Sequence, residues 1–406
     1  MAPGRAVTAG RTARRSRTAR ALWARLPWWG RALAIWAASR VVSTALLVGF
    51  AAAQPANVYT DAAPSLVDFS TMWDARWYEH VATHGYPDAL PRDASGAIDD
   101  NAWAFMPVYP MLVRALVRVG LDWQTAALAI AWVASAVLAV LAYRLLRETI
   151  PQHASFALAL VLLGPLSPLL QVGYAESLHL ALLAGALLAL RRRRWGMLAA
   201  LVPLMALTRP SGLAFALALG IVVAWAWWRD RPAWSARDLR ILVATAAWAL
   251  AWGLAWPAYA AIRTGEPGAY VATELGWRAP YVGRMQLVPG TGWVAGAQWW
   301  LGGVGLGLLV LVVGGLVWVL ARRASREAMG LEAWAWTIAY LLYLLAVWFP
   351  QSSTFRILLP AFALVAVIAV LPGRWWRPLA LALGVAGQVA WLWACWWLMG
   401  VDWTIP

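Results

Sequence analysis

The sequence predicts an all-α, polytopic membrane protein, and three observations predict it. Of 406 residues, 63% are hydrophobic and only 13% are charged, which is too apolar for a soluble chain of that length. Apolar runs near the ~20 residues that a helix needs to cross a bilayer recur from Ala32 to Met399, without the ten-residue alternation of membrane strands. The charges, finally, collect in the gaps between those runs.

Eleven spans follow from the pattern, at roughly 32–53, 123–143, 152–170, 175–190, 195–208, 211–228, 239–262, 299–321, 331–349, 357–371 and 379–399. The first, about 22 residues long, exceeds the apolar core of a cleavable signal and reads as a retained anchor. The fifth is too short to cross unaided and needs tilt or shielding by its neighbours. Before the spans stands a basic tail, 1–31, expected to be disordered and cytoplasmic, and after them an outer tail, 400–406.

The net charge of +15 resembles a nucleic-acid binder until its arginines are placed. There is no lysine. With the N-terminus in the cytoplasm, 23 arginines fall inside, nine outside and Arg40 within the membrane. That is the asymmetry of the positive-inside rule, and no nucleic-acid partner is needed to explain it. Thirteen of the 18 carboxylates fall on the outer side. Cys395, the sole cysteine, leaves no intrachain disulfide to form.

Two outer segments, 54–122 and 263–298, are too long to be mere connectors and are where function is expected. The first contains two amphipathic stretches, Phe69 to His84 and Phe105 to Val119, each too short to span; both read as helices lying at the membrane surface. The densest chemistry is Trp73-Asp74-Ala75-Arg76-Trp77-Tyr78-Glu79-His80. On a helix, Asp74 and Tyr78 share a face by i,i+4 spacing, beside Trp73, Trp77, His80 and His84. The bland alternative is an interfacial helix with tryptophans at headgroup level. Glu79-His80-x-x-x-His84 is not the zinc-protease order and lacks a third ligand, so no metal is expected. Further on, Glu176 and Arg209 stand at outer ends of neighbouring spans, where an arginine needs either a carboxylate partner or a phosphate.

Taken in order, Trp73-Asp74-Ala75-Arg76-Trp77-Tyr78 with Gly85-Tyr86, then Phe105-Met106-Pro107-Val108-Tyr109-Pro110, Tyr174-Ala175-Glu176-Ser177, Leu207-Thr208-Arg209-Pro210, Tyr259, Thr264-Gly265-Glu266-Pro267 and Arg356-Ile357-Leu358-Leu359-Pro360 resemble the PIG-V-like mannosyltransferases. These belong to the GT-C class, and their eukaryotic members add the second mannose in glycosylphosphatidylinositol assembly. The resemblance covers most of the chain after the basic tail. It implies a GT-C-like fold with its active site on the non-cytoplasmic face, a polyprenyl-phosphate mannose donor with no cofactor, and Asp74 as general base. The arginine-only composition and the basic tail resemble an actinobacterial relative more than a eukaryotic one, which implies a plasma-membrane location and leaves the acceptor open.

A phosphate leaving group carries its own charge, so one carboxylate base suffices where a glycosidase uses two. Arginine forks then have the phosphate to hold. The outer-side arginines after the first loop are Arg209, Arg263, Arg278, Arg284 and Arg356; for each, interfacial anchoring is the competing role. Trp73, Arg76, Trp77, Tyr78, His80, Glu176, Arg209, Arg263 and Arg356 are the expected substrate contacts. The second class open to such a chain is a transporter or flippase of lipid-linked sugars. It predicts mid-membrane ionisable groups and inverted repeats, whereas only Arg40 lies within a span and no repeat is evident. A membrane scaffold, the third, would leave the clustered Asp, Glu and His without a purpose.

Overall fold

A computed structural model describes Trp23, residues 25–283 and 286–399, and Pro406. Most of the basic tail, Arg284 and nearly all of the expected outer tail therefore lie outside the described residues. Among the described residues there is no strand; one isolated antiparallel bridge joins Arg92 and Ile98 in the first long loop.

Five helices are long and apolar enough to cross a membrane: Trp28–Ala52, Trp123–Thr149, Ala236–Thr264, Thr291–Ala321 and Trp376–Trp397. A sixth is reached if Arg323–Met329 and Leu331–Val347, bent by 109° at Gly330, count as one span. The remaining expected runs are helical but short or broken. Glu176–Arg191 has 16 residues, Trp195–Ala206 has 12 and Gly212–Trp228 has 17. The run expected at 357–371 divides, with Pro360 near its start, into a single turn at Thr354–Ile357, a 3₁₀ segment at Leu359–Leu364 and Val365–Ala369.

The run expected at 152–170 is broken too. Its helix stops at Leu162, Gly164-Pro165 interrupts it, and a 3₁₀ turn follows over Ser167–Gln171. A break inside an apolar bundle strands carbonyls that no water can reach, so something polar must cover them. Arg40 does so. Buried at 2% exposure, it donates to the carbonyls of Ser167 at 3.0 Å and Leu162 at 3.4 Å, to Ser167 Oγ at 2.6 Å and to Gln171 Oε1 at 3.0 Å. Gln388 donates to the carbonyl of Leu163 at 3.0 Å and accepts from Ser43 at 2.8 Å. The intramembrane arginine is thus a cap on a broken helix.

Small residues set the next crossing. A Cβ on Gly212 would lie 2.6 Å from the Cα of Gly253, so Gly212–Trp228 and Ala236–Thr264 meet backbone to backbone. Residue 209 precedes the first of these helices by three positions, which fixes where its side chain can reach.

The first long loop contains both expected surface helices, shorter than their apolar patterns: Asp74–His84 and Val108–Arg118, 11 residues each. The first begins at Asp74 instead of Phe69. Leu66–Phe69 is a separate turn, and Trp73 between them has φ 58° and ψ −128°, a backbone region that L-residues rarely adopt.

Candidate functional site

Asp74 and Glu176 each occupy the first position of a helix, where free N–H groups and the helix dipole favour a carboxylate. Their two helix heads are brought together by the Gly173-Tyr174 turn. The Gly173 N–H donates to the carbonyl of Ser70 at 2.9 Å, and a Cβ at Gly173 would press on Ala75 and Thr71 at 3.3 Å. Tyr174 Oη accepts from the Asp74 N–H at 3.2 Å. On the other side, Trp73 Nε1 donates to the carbonyl of Trp396 at 3.1 Å. Residue 73 is therefore pinned by its indole while residue 74 is pinned by its amide. The strained backbone between them costs on the order of 1–3 kcal/mol, and it is spent where Asp74 is aimed.

Two arginines from distant segments complete the cluster. Arg356 Nη1 lies 2.5 Å from Asp74 Oδ2 and 3.7 Å from Glu176 Oε1. Arg209 Nη2 lies 3.0 Å from Glu176 Oε1, and its Nη1 donates to the Tyr78 hydroxyl at 3.4 Å. The Arg356 guanidinium also sits over the ring of Tyr174, 5.3 Å from its centroid. Asp74 is 14% exposed and Glu176 only 4%. Asp74 is therefore the more accessible carboxylate.

Each arginine is held from behind. The turn after Leu207 is tied by Ser211 Oγ, which donates to the Arg209 carbonyl at 3.0 Å and meets His179 Nε2 on the Glu176 helix at 3.0 Å. The Val108 N–H donates to the carbonyl of Leu207 at 3.0 Å, joining that turn to the second surface helix. For Arg356, the broken segment is gripped by Leu331–Val347: Tyr340 Oη donates to the carbonyl of Ile357 at 2.7 Å and Trp336 Nε1 to that of Pro360 at 2.8 Å. The break in that run is what lets the guanidinium turn towards Asp74.

Satisfaction is incomplete. Although Glu176 Oε1 is an ion-pair partner, among the described residues neither of its carboxylate oxygens receives an aligned hydrogen bond, and Ser177 Oγ and Arg356 Nε have no hydrogen-bond partner. Burial pulls Arg209 towards neutrality, but Glu176, Tyr78 and Asp74 outweigh it and raise its pKa. Burial pushes the Tyr78 hydroxyl up, so it stays a neutral hydrogen-bonding group.

Asp74, Tyr78, Glu176, Arg209 and Arg356 thus converge, with Trp73 beside them. Other residues expected at the site stand apart. Arg76 pairs with Glu79 at 3.3 Å and lies over Trp123. Trp77 stacks on Phe105 at 5.6 Å and meets Trp277 edge-on at 5.2 Å. His80 is exposed and stacks on His84 at 4.8 Å. Arg263 pairs with Asp88 on the loop surface, and Arg278 pairs with Glu274 at 2.8 Å. Among the described residues, no group of three or more His, Cys, Asp or Glu is arranged to hold a metal ion. Tyr174, His179 and Ser211 position the cluster without having been expected there; Tyr174 lies within one of the motifs and Ser211 directly follows another, but nothing local in the sequence gives their partners. Compared with known proteins, the chain matches no family model and no curated relative.

Proposed function

We propose that this chain is an integral-membrane glycosyltransferase of GT-C type, with eleven membrane passages, that moves a mannosyl residue from polyprenyl-phosphate mannose to an acceptor on the non-cytoplasmic face of a bacterial plasma membrane. The observation that carries the reading is the convergence of two carboxylates and two guanidinium groups from four separate segments at the heads of two helices. A purely structural ion pair does not require that arrangement. The sugar, the donor and the GT-C class rest on the motif resemblance alone.

In this mechanism Asp74 takes the proton of the acceptor hydroxyl as that oxygen forms its bond to the anomeric carbon. The bond from that carbon to the phosphate oxygen breaks on the opposite face, and polyprenyl phosphate leaves with the electron pair. A β-linked donor would give an α-mannoside. Arg356 and Arg209 bind the phosphate and stabilise the charge it gains. Arg356 then exchanges partners: as its guanidinium turns to the phosphate, the Asp74 carboxylate is freed to act as base.

The test is direct. Membranes containing the protein are given labelled polyprenyl-phosphate mannose, and the molecule that acquires label is identified. Transfer to a lipid, glycan or protein acceptor supports the reading. Label that crosses the membrane still attached to its lipid carrier would favour a flippase instead.

A further inference from the structure

The Glu176–Arg191 helix starts in the Asp74 cluster through Glu176 itself, and the Trp123–Thr149 helix starts under Arg76, on the same surface helix as Asp74. Both run to the far side of the molecule and end in arginines. The Arg191 to Arg194 run, which in sequence looks like a uniform basic patch, divides its labour there. Arg191 pairs with Glu332 at 2.9 Å and Arg193 with Asp238 at 3.2 Å. Arg192 shares Glu148 with Arg144, at 2.5 and 3.2 Å, while Arg194 has no ion pair among the described residues.

Between Trp28, Arg144, Arg192 and Arg194 lies a cavity of about 360 Å³. Three guanidinium groups line it, and among the described residues the only carboxylate paired with any of them is Glu148, so the cavity carries surplus positive charge. Arg144 is also held over the Trp28 ring, 5.1 Å from its centroid. The remaining wall is apolar, formed by Leu141 and Leu188 on the Trp123–Thr149 and Glu176–Arg191 helices and by Met197 in the first turn of Trp195–Ala206. A soluble anion would use the guanidinium groups and leave that wall wet. A phospholipid uses both, with its phosphate among the forks and its glycerol and first methylenes against the leucines, and tryptophan at headgroup depth completes the setting. A zwitterionic headgroup would bring its own cation among three arginines, whereas an anionic one would not.

We propose that this cavity binds the headgroup of an anionic phospholipid in the leaflet on the arginine-rich side, opposite the Asp74 cluster. The site is independent of sugar transfer.

Native mass spectrometry of the full-length protein in detergent tests it, with phosphatidylglycerol, phosphatidylcholine and inorganic phosphate supplied in separate arms. Wild-type protein should retain one phosphatidylglycerol with at least about tenfold preference over phosphatidylcholine. The double variant Arg192→Gln/Arg194→Gln should lose about tenfold or more of that occupancy, as expected for charge-assisted bonds to phosphate. Leu141→Trp, which fills the cavity and leaves every charge in place, should lose it too, whereas Arg323→Gln, on an exposed arginine paired with Glu327, should not. Equal retention of the two lipids by wild-type protein would overturn the proposal without recourse to any variant. So would displacement of phosphatidylglycerol by equimolar inorganic phosphate, which would mark a free-anion site, or full retention in both Leu141→Trp and the double variant.

Discussion

Arg356 and Asp74, 282 residues apart in sequence, are joined by a hydrogen-bonded ion pair of 2.5 Å, and the same arginine nitrogen stands 3.7 Å from Glu176. One guanidinium therefore bridges both carboxylates of the cluster. An aspartate held this way has its carboxylate occupied until the arginine finds another anion. In the proposed reaction the donor phosphate would be such an anion, which would make donor binding and release of the Asp74 carboxylate one event.

Arg209 makes the closer of the two ion pairs of the buried Glu176 carboxylate, and removing it leaves that carboxylate only the longer contact to Arg356 at 3.7 Å. Arg209→Gln alone should cost about 3–5 kcal/mol of stability. Glu176→Gln/Arg209→Gln should recover most of that loss, because no unpaired charge remains, yet stay inactive. Thermal unfolding in detergent reads the first effect and sugar transfer the second. A double variant as unstable as the single one would show that the pair is not coupled.

Asp68, six residues upstream of Asp74, is the nearest rival as base, but its carboxylate is already engaged. Ser65 Oγ donates to it at 2.7 Å and Gln124 Nε2 at 3.0 Å, and these hydrogen bonds hold its pKa below the ordinary carboxylate value. The stability they add is present above the unfolded pKa, near 3.9, and is lost as pH falls through the lower folded value. Asp68→Asn should cost about 1 kcal/mol at pH 7, lose that acid dependence and keep its turnover. A loss of turnover comparable to that of an Asp74 variant would move the base to residue 68.

The two long loops should face the side opposite the Arg191 to Arg194 run. With Cys395 replaced, a cysteine at Ala94, on the exposed surface of the first loop, should react with an impermeant reagent in intact cells. One at Arg323, exposed on the arginine-rich side, should react only after the membrane is opened. The reverse pattern would place the Asp74 cluster in the cytoplasm and remove the lipid-linked donor from its reach.

Helices were legible wherever burial or lipid imposes a pattern on consecutive residues, which is why the runs at 32–53, 123–143 and 239–262 correspond to long helices in the structure. Their breaks were not. Gly164-Pro165 and Pro360 are visible as residues, but a break in a membrane survives only if its carbonyls are covered, and the covering groups, Arg40, Gln388, Trp336 and Tyr340, come from elsewhere in the chain. The cluster divides in the same way. Asp74 and Tyr78 follow from helical spacing. Arg76 could have been set aside, since Glu79 waits three residues on. Arg356 was one outer arginine among several, and no local signal distinguishes it from Arg263, which pairs on the loop surface instead.

Most directly at stake is Asp74. Asp74→Asn should keep the fold and donor binding while turnover falls by at least about two orders of magnitude, the lower end of what a general base contributes. Asp74→Glu should also be poor, since about 1 Å of misplacement can cost on the order of a hundredfold. The measurement is transfer of labelled sugar from saturating polyprenyl-phosphate mannose, at matched expression, by wild-type protein, Asp74→Asn, Asp68→Asn and Glu176→Gln. Collapse in Asp74→Asn with near-normal rates in Asp68→Asn is the expected result. Near-normal turnover in Asp74→Asn would contradict the assignment of the base, and no transfer by the wild-type protein would contradict the proposed reaction itself.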